Sequence, residues 1–343
     1  MPQMGWFPEA LATEGATSCD TRPRMKTSHV VPAELGGKSL DAVVRALFEV
    51  SWGKARGYIE TGKIEADGEV VTVVERRVRA GVTVSLDLAA RRPRPDELEK
   101  ERIVFVDAHV VVVNKPAGIS TVPYDDTETG TLDERVRAAL QRSGRERGQR
   151  PPLGVVHRID KETTGLVVFT RSWLAKQSLA SQFRVHSVHR LYRAMVHGVM
   201  TSRSLTSHLV EDRGDGLRGS IERMKGNRPR LEAGQRAVTH VDVDERLSGG
   251  AAAKEGATLV TCRLETGRTH QIRVHLSEVG HPLIGERVYC REYSGERIPA
   301  PRLMLHAAEL GFLHPKTEEP MKFTVPVPAD FAETLARLRA KAP

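Results

Sequence analysis

The sequence predicts an α+β protein, mixed α/β in content, with a mixed and largely antiparallel central sheet preceded by a small separate domain. Three observations predict it. Short apolar runs of strand length recur through residues 102–328 without regular intervening helices of the length that parallel crossovers need. Residues 28–88 hold two helical patterns that feed a small strand unit of their own. Between them, residues 89–101 crowd charge and proline in the manner of an exposed linker.

Taken in order, residues 1–27 carry little periodicity and read as a flexible extension. In the small domain, His29-Val30-Val31 opens the pattern, and Leu40, Val43, Val44, Leu47 and Phe48 recur at helical spacing. Ser51 is placed to cap a second short helix, Gly62 breaks it, and Ile64 with Ala66 leads to an Asp67-Gly68 turn. In the larger domain, apolar runs on either side of Asp107-Ala108-His109 read as strands. They end in Lys115-Pro116-Ala117-Gly118, where Lys115 and Gly118 suit either a phosphate contact or a plain turn. A helix starts at Thr131, a basic loop covers 141–152, and Val155-Val156, 166–169, 191–196 and 259–264 are further strands. Residues 212–236 carry seven Lys or Arg, densest at Arg223, Lys225, Arg228 and Arg230, which fits a polynucleotide-contacting loop and a solvated loop equally. Residues 249–253 read as a surface insertion and 329–343 as a C-terminal tail.

Composition narrows the class of function. Hydrophobic residues at 39% and charged residues at 28% describe an ordinary soluble protein, long enough at 343 residues for two domains. The 52 Lys and Arg against 44 Asp and Glu give a formal charge of +8, which favours anionic partners. Cys19, Cys262 and Cys290 are too few and too far apart for a disulfide framework, and none has metal-ligand spacing. With no basic segment followed by an apolar one at the start, and no run of membrane-spanning length, a cytoplasmic protein is expected.

Chemistry concentrates in two charged islands. Between two apolar runs, residues 154–170 hold His157, Arg158, Asp160, Lys161 and Glu162 almost consecutively, either as a solvated turn or as the lining of a polar site. Arg158 and Lys161 favour an ionised Asp160 even where water is excluded, the state a nucleophile or base requires. The second island, 265–276, carries Arg268, His270, Arg273 and His275. Arg273 is suited to pair with Asp160 across the fold, while Arg268 and His270 suit substrate orientation or loop support. Tyr192 stands between Arg190 and Arg193, an aromatic among cations that suits base stacking or ordinary strand packing.

The ordered set is more specific than any member. His157-Arg158-Ile159-Asp160-Lys161-Glu162-Thr163-Thr164-Gly165 resembles the signature of the RluA-type pseudouridine synthases. The resemblance continues through Asn114-Lys115-Pro116-Ala117-Gly118, Arg190-Leu191-Tyr192, the stretch from Thr266 to His275, Leu305-His306-Ala307 and His314-Pro315. It implies the synthase catalytic domain over 102–328 and isomerisation of uridine to pseudouridine in structured RNA, with ribosomal RNA favoured and transfer RNA as the other target. By the same resemblance Asp160 is the catalytic carboxylate, Tyr192 stacks on the target base and Arg273 pairs with Asp160. Arg158 fills the space left by the flipped nucleotide, and Lys115, Lys161, Arg190, Arg268 and His270 join it as RNA-binding residues. No cofactor or metal is implied, and the chain is expected to be a monomer.

Three positions depart from the family pattern: Ile159 for Leu, Thr164 for Ser and Arg190 for Lys. None removes the implied chemistry. Residues 28–88 resemble S4-type RNA-binding domains, with Lys54 and Lys63 as RNA contacts, although Ser51 is followed by Trp52-Gly53-Lys54 where an arginine is usual. Two other readings compete. One is a noncatalytic RNA-binding or ribosome-associated protein; the other is an Asp/His hydrolase, which neither a nucleophile elbow nor metal spacing supports.

Overall fold

The computed structural model describes residues 26–72, 74, 76–90, 98–125, 128–142, 152–224, 229–247 and 256–340. The expectations for residues 1–25, for 91–97 of the linker, for most of the basic loop, for Lys225 and Arg228 and for 249–253 lie outside the described residues. The chain divides into two compact units, parting between residues 93 and 94.

In the small unit, β1 (Lys26–Val30), α1 (Leu40–Leu47), α2 (Trp52–Glu60), β2 (Ile64–Ala66), β3 (Glu69–Val70) and β4 (Thr83–Asp87) follow in order. Leu40, Val43 and Val44 of α1 meet Ala55 and Ile59 of α2 and Ile64, Ala66 and Val84 of the sheet in one buried cluster. This is the packing that the helical spacing predicts. Ser51 caps α2 by accepting from the Lys54 amide at 3.3 Å. Asp67 and Gly68 both take positive φ, 50° and 83°, in the two-residue turn joining β2 to β3. The strands run in the order β1-β4-β2-β3, all antiparallel. Pairing of Lys26 with Asp87 and of Thr27 with Leu86 draws these two residues into β1, out of the extension expected to end at 27.

The large unit is built on an 11-stranded sheet. Its elements are β5 (Ile103–Val106), β6 (Val110–Lys115), α3 (Leu132–Arg142), β7 (Gly154–Val155), β8 (Thr164–Thr170), α4 (Trp173–Arg184), β9 (His189–His197), β10 (Arg203–Val210) and β11 (Gly219–Ser220). There follow β12 (Gln235–Leu247), β13 (Ala257–Leu264), α5 (Gln271–Glu278), β14 (Leu305–Leu313), β15 (Pro320–Thr324) and α6 (Ala329–Arg339). The strand order is β11-β10-β12-β13-β9-β14-β8-β6-β5, with β15 beside β14 and β7 beside β8. Every pair is antiparallel except β14 and β8, where His306 aligns with Thr164, so the sheet is mixed and largely antiparallel.

Both faces of the sheet are covered. Val111 and Val113 of β6 join α3 and α5 in one apolar cluster, while Val110 and Val112 join α4 in another. A strand buried on both faces need not alternate, which is why β6 reads as an unbroken valine run. The segment 329–343, read from sequence as a tail, instead contributes α6. Phe331, Leu335 and Leu338 recur at helical spacing and are buried against Met195, Leu259 and Met304. Among the described residues no helix is long and apolar enough to cross a membrane, and no group of three His, Cys, Asp or Glu side chains offers a metal site.

Candidate active site

The loop joining β7 to β8 carries the first charged island, and its backbone is clamped. His157 Nε2 accepts from the Val168 amide at 3.0 Å, and the ring stacks on Phe183 with centroids 4.6 Å apart. Burial, with Arg190 nearby, pushes the His157 pKa down to about 3, so the ring is a neutral acceptor that anchors the loop. Thr121 Oγ1 donates to the Ile159 carbonyl at 2.8 Å, and the Thr163 amide donates to the Asp160 carbonyl at 3.1 Å. The Lys161 carbonyl accepts from both Lys115 Nζ and the Gly118 amide, at 2.9 and 3.0 Å. With successive carbonyls taken on both sides of it, the Asp160 backbone has little freedom to move.

Lys115 is a structural part of this clamp. It is fully buried, and its ammonium donates to the carbonyls of Pro116, Ile119 and Lys161, each at 2.9 Å. Burial lowers its pKa to about 7 against the pull of Asp160 and Glu162. All three donors of an ammonium are thereby used. The expectation of a phosphate contact at Lys115 is therefore corrected: of the two alternatives, the turn holds. Thr164, the departure from Ser, keeps its hydroxyl hydrogen-bonded to His306 Nδ1 at 2.9 Å. Gly165 follows at φ 111°, where a Cβ would lie 2.2 Å from the Ala307 carbonyl oxygen, so β8 meets β14 closely only with glycine there.

The second island arrives on α5. Gln271 fixes the start of this helix: its Nε2 donates to the Val238 carbonyl and to Thr239 Oγ1, both at 2.9 Å, while its Oε1 accepts from Thr266 Oγ1 at 2.7 Å. Gly267 leaves room for the Arg190 guanidinium: a Cβ would stand 2.3 Å from Nη1, so any larger residue would displace the end of that side chain. One helical turn into α5, Arg273 Nη1 donates to Asp160 Oδ2 at 3.3 Å. The same guanidinium makes a two-pronged contact with Glu286, at 2.8 and 2.9 Å, and lies 5.1 Å from the centre of the Tyr289 ring. Burial alone would lower the Arg273 pKa, but the bonds and charges of Glu286 and Asp160 raise it, so the cation is permanent.

His270 precedes the helix in the left-handed region at φ 57°. Its Nδ1 shares a 2.6 Å hydrogen bond with the Tyr289 hydroxyl, and its Nε2 lies 3.8 Å from Asp160 Oδ1. Burial first, and Arg273 next, hold its pKa below the usual histidine range against the pull of Asp160. Tyr192 stands on β9 with its ring buried; burial raises its pKa, Asp160 adds to the rise and Arg190 opposes it, so the phenol stays protonated.

These groups meet in a cavity of about 490 Å³ that Asp160, Tyr192, Arg273, Arg158, Arg190, Arg268 and His270 all line, with Ile272 and Leu305 among its apolar walls. Its size suits a nucleotide-scale ligand. Arg190 is mostly buried in the wall, donating to the Glu265 carbonyl at 2.9 Å, while Arg268 is half-buried, its Nε donating to the Arg236 carbonyl at 3.2 Å. Arg158 is exposed and, among the described residues, pairs with no acid. A second cavity, of about 640 Å³, shares Arg158, Asp160, His270 and Arg273 with the first and adds Tyr124, Glu128 and Lys161. Lys161 pairs with Glu128 at 3.3 Å. Lys54 and Lys63 belong to the small unit, where Lys54 is exposed and Lys63 lies 5.9 Å from the Tyr58 ring. Sequence reasoning missed Glu286 and Tyr289, which hold Arg273 and His270; they sit in a loop without periodicity, and nothing in their spacing announces the contact.

The sequence model of a family described as RNA pseudouridylate synthase matches residues 109–278, a span containing every group in the Asp160 cavity except Leu305. The ribosomal large subunit pseudouridine synthase D of Pseudomonas aeruginosa is 35% identical over 326 residues, covering 90% of this chain and 94% of that protein. The protein of the same name from Zymomonas mobilis is 36% identical over 311 residues, covering 87% and 92%. Among solved structures, human RNA pseudouridylate synthase domain containing 4 shares the fold, with a TM-score of 0.53 at 24% identity over 71% of this chain and 95% of that one.

Proposed function

The chain belongs to the RNA pseudouridylate synthase family and isomerises uridine in RNA to pseudouridine; from that premise we propose that Asp160 is its catalytic carboxylate and large-subunit ribosomal RNA its substrate. The observation that carries the reading is the Asp160 carboxylate held against the permanent cation of Arg273 at 3.3 Å, on a clamped loop, at the wall of a nucleotide-sized cavity. The permanent cation of Arg273 gives the carboxylate a fixed partner that orients it toward the cavity, as an attacking group requires.

In the reaction the C1′–N1 bond of uridine breaks, the uracil turns, C5 bonds to C1′, and the proton on C5 leaves as N1 gains one. Atoms and oxidation level are unchanged, so the chemistry demands no redox or group-carrying cofactor. The base must leave the RNA stack to reach the cavity, and Arg158, exposed and paired with no acid among the described residues, is suited to fill the place it leaves. Tyr192 offers a rigid protonated phenol for stacking, and its raised pKa argues against a phenolate base. Arg190, Arg268 and His270 line the cavity, where they supply donors and positive charge for RNA. Ribosomal RNA is favoured because the relatives from Pseudomonas aeruginosa and Zymomonas mobilis carry that substrate in their names.

The small unit extends this reading as an S4-type RNA-binding module. Trp52 is exposed and has the guanidinium groups of Arg45 and Arg56 5.1 and 5.9 Å from its ring, with Lys54 also exposed on the same helix. Such a mix of aromatic face and cations suits base stacking beside a phosphate backbone. A cytoplasmic monomer completes the proposal. Mapping pseudouridine across total RNA with and without the protein tests the substrate, and Asp160→Asn tests the chemistry: turnover is lost while the fold and RNA affinity persist. Full activity in a folded Asp160→Asn variant would overturn the assignment.

A further inference from the structure

Tyr124 is the most exposed large side chain with apolar surface among the described residues, at 86%. A single exposed tyrosine is unremarkable by itself. What distinguishes this one is that its backbone is pinned while its ring is bare. Glu128 accepts from the Tyr124 amide at 2.8 Å, from Ser120 Oγ at 2.7 Å and from Lys161 Nζ at 3.3 Å. Three residues earlier, Thr121 is bonded to the Ile159 backbone beside Asp160. The loop bearing the ring is thus tied twice to the loop bearing Asp160, and Tyr124 is among the residues lining the second cavity, which shares Asp160, His270 and Arg273 with the first.

We propose that this second cavity is a subsite for the nucleotide next to the target uridine, whose base stacks on Tyr124. Two cavities meeting at one carboxylate can hold two neighbouring nucleotides of a strand, the reacting one beside Tyr192 and its neighbour beside Tyr124. A pre-positioned aromatic face binds a base at little entropic cost, and stacking tolerates any base, so the contact secures the strand without reading it. Tyr124 therefore acts in RNA binding and leaves the chemical step untouched.

This inference rests on the synthase reading, and the experiment separates the two. The probe is a synthetic RNA stem-loop centred on the uridine mapped in total RNA, made with each flanking nucleotide intact or abasic. Tyr124→Ala is expected to weaken binding of the intact stem-loop about tenfold, with KM rising in step and kcat within twofold of wild type, whereas Tyr124→Phe and Tyr124→Trp bind as wild type does. One abasic flank is expected to cost wild type the same factor and to cost Tyr124→Ala almost nothing. Because the ring is exposed, its truncation leaves the core intact. Unchanged binding in Tyr124→Ala, or an equal abasic penalty in both proteins, would overturn the subsite. Binding is read without turnover, so these outcomes stand apart from the Asp160→Asn comparison that tests the reaction.

Discussion

Arg273 serves two carboxylates at once, and the tighter contact is with Glu286, which lines neither cavity. Glu286 takes both prongs of the guanidinium at 2.8 and 2.9 Å and is itself held by the amides of Arg287 and Val288 at 3.0 and 2.8 Å. It fixes where the third nitrogen points, and so where Asp160 finds its cation. Glu286→Gln keeps the volume but has one acceptor oxygen, so Arg273 is expected to shift. In single-turnover assays the rate constant should fall about 100-fold, the scale of a displacement near 1 Å. KM for RNA should stay close to wild type because Glu286 is buried, and a rate within threefold of wild type would refute this positioning role. Lys115 makes the companion case. Lys115→Met removes the donors to three carbonyls at similar volume and should cost roughly 3 kcal/mol in urea denaturation, within the range for stranded polar groups. The pairing of Arg273 with Asp160 was legible in sequence because both stand in ordered motifs, and Tyr192 lines the same cavity. The burial of Lys115 was not, since a lysine beside a turn reads the same whether its ammonium meets solvent or carbonyls.

Among the elements, those with a strong period were legible and those whose burial depends on distant partners were not. α1 announced itself through five apolar residues at helical spacing, and β6 through its valines. α4 buries only Ala175 and Leu179 and leaves Trp173 and Leu174 exposed, which is too thin a stripe to read. α6 carries Phe331, Leu335 and Leu338 at helical spacing, but the surface they bury against comes from distant strands, and the segment reads from sequence as a tail. Its role reaches the active site. Asp330 of α6 accepts from Arg302 Nε and Nη2 at 2.6 and 2.8 Å, and Arg302 Nη1 in turn reaches the Glu162 carbonyl at 3.4 Å, two residues beyond Asp160. Phe331→Ala removes a fully buried ring and should cost about 3–5 kcal/mol in urea denaturation. Ending the chain before Ala329 should lower the melting temperature further and slow turnover by releasing Arg302, where removal of a mere tail would be neutral. Equal melting curves for the truncated and full chains would refute the coupling.

At the scale of the whole molecule, the division into a small and a large unit was legible from the proline and charge between them, while the positive charge favoured anionic partners and only the motifs pointed to RNA. What charge totals conceal is which titratable groups are forced neutral. His275 and His306 are buried, with pKa values pushed down by burial to about 4, and His157 is pushed to about 3. Each therefore binds its proton more weakly in the folded chain than in the unfolded one, where the value is near 6.5. Folding then releases protons on the acid side: stability from these groups is complete above pH 6.5 and is lost as pH falls through the interval down to about 4. Each contributes a slope that approaches about 1.4 kcal/mol per pH unit as the unfolded ring becomes fully protonated, so moving from pH 6.5 to 5 should remove roughly 5 kcal/mol through His157, His275 and His306 together. The physical cause is visible at His275, whose Nδ1 and Nε2 face the hydroxyls of Thr239 and Ser207 at 2.9 Å with no carboxylate in contact to receive a new positive charge. Urea denaturation at pH 7.5, 6.5, 5.5 and 5.0 should show the midpoint falling gently between the first two, where buried Lys115 takes up its proton near pH 7, and steeply below. His275→Gln, which retains polar bonding without a titrating ring, should flatten that fall by close to one histidine's share, and an unchanged slope in this variant would locate the acid sensitivity elsewhere.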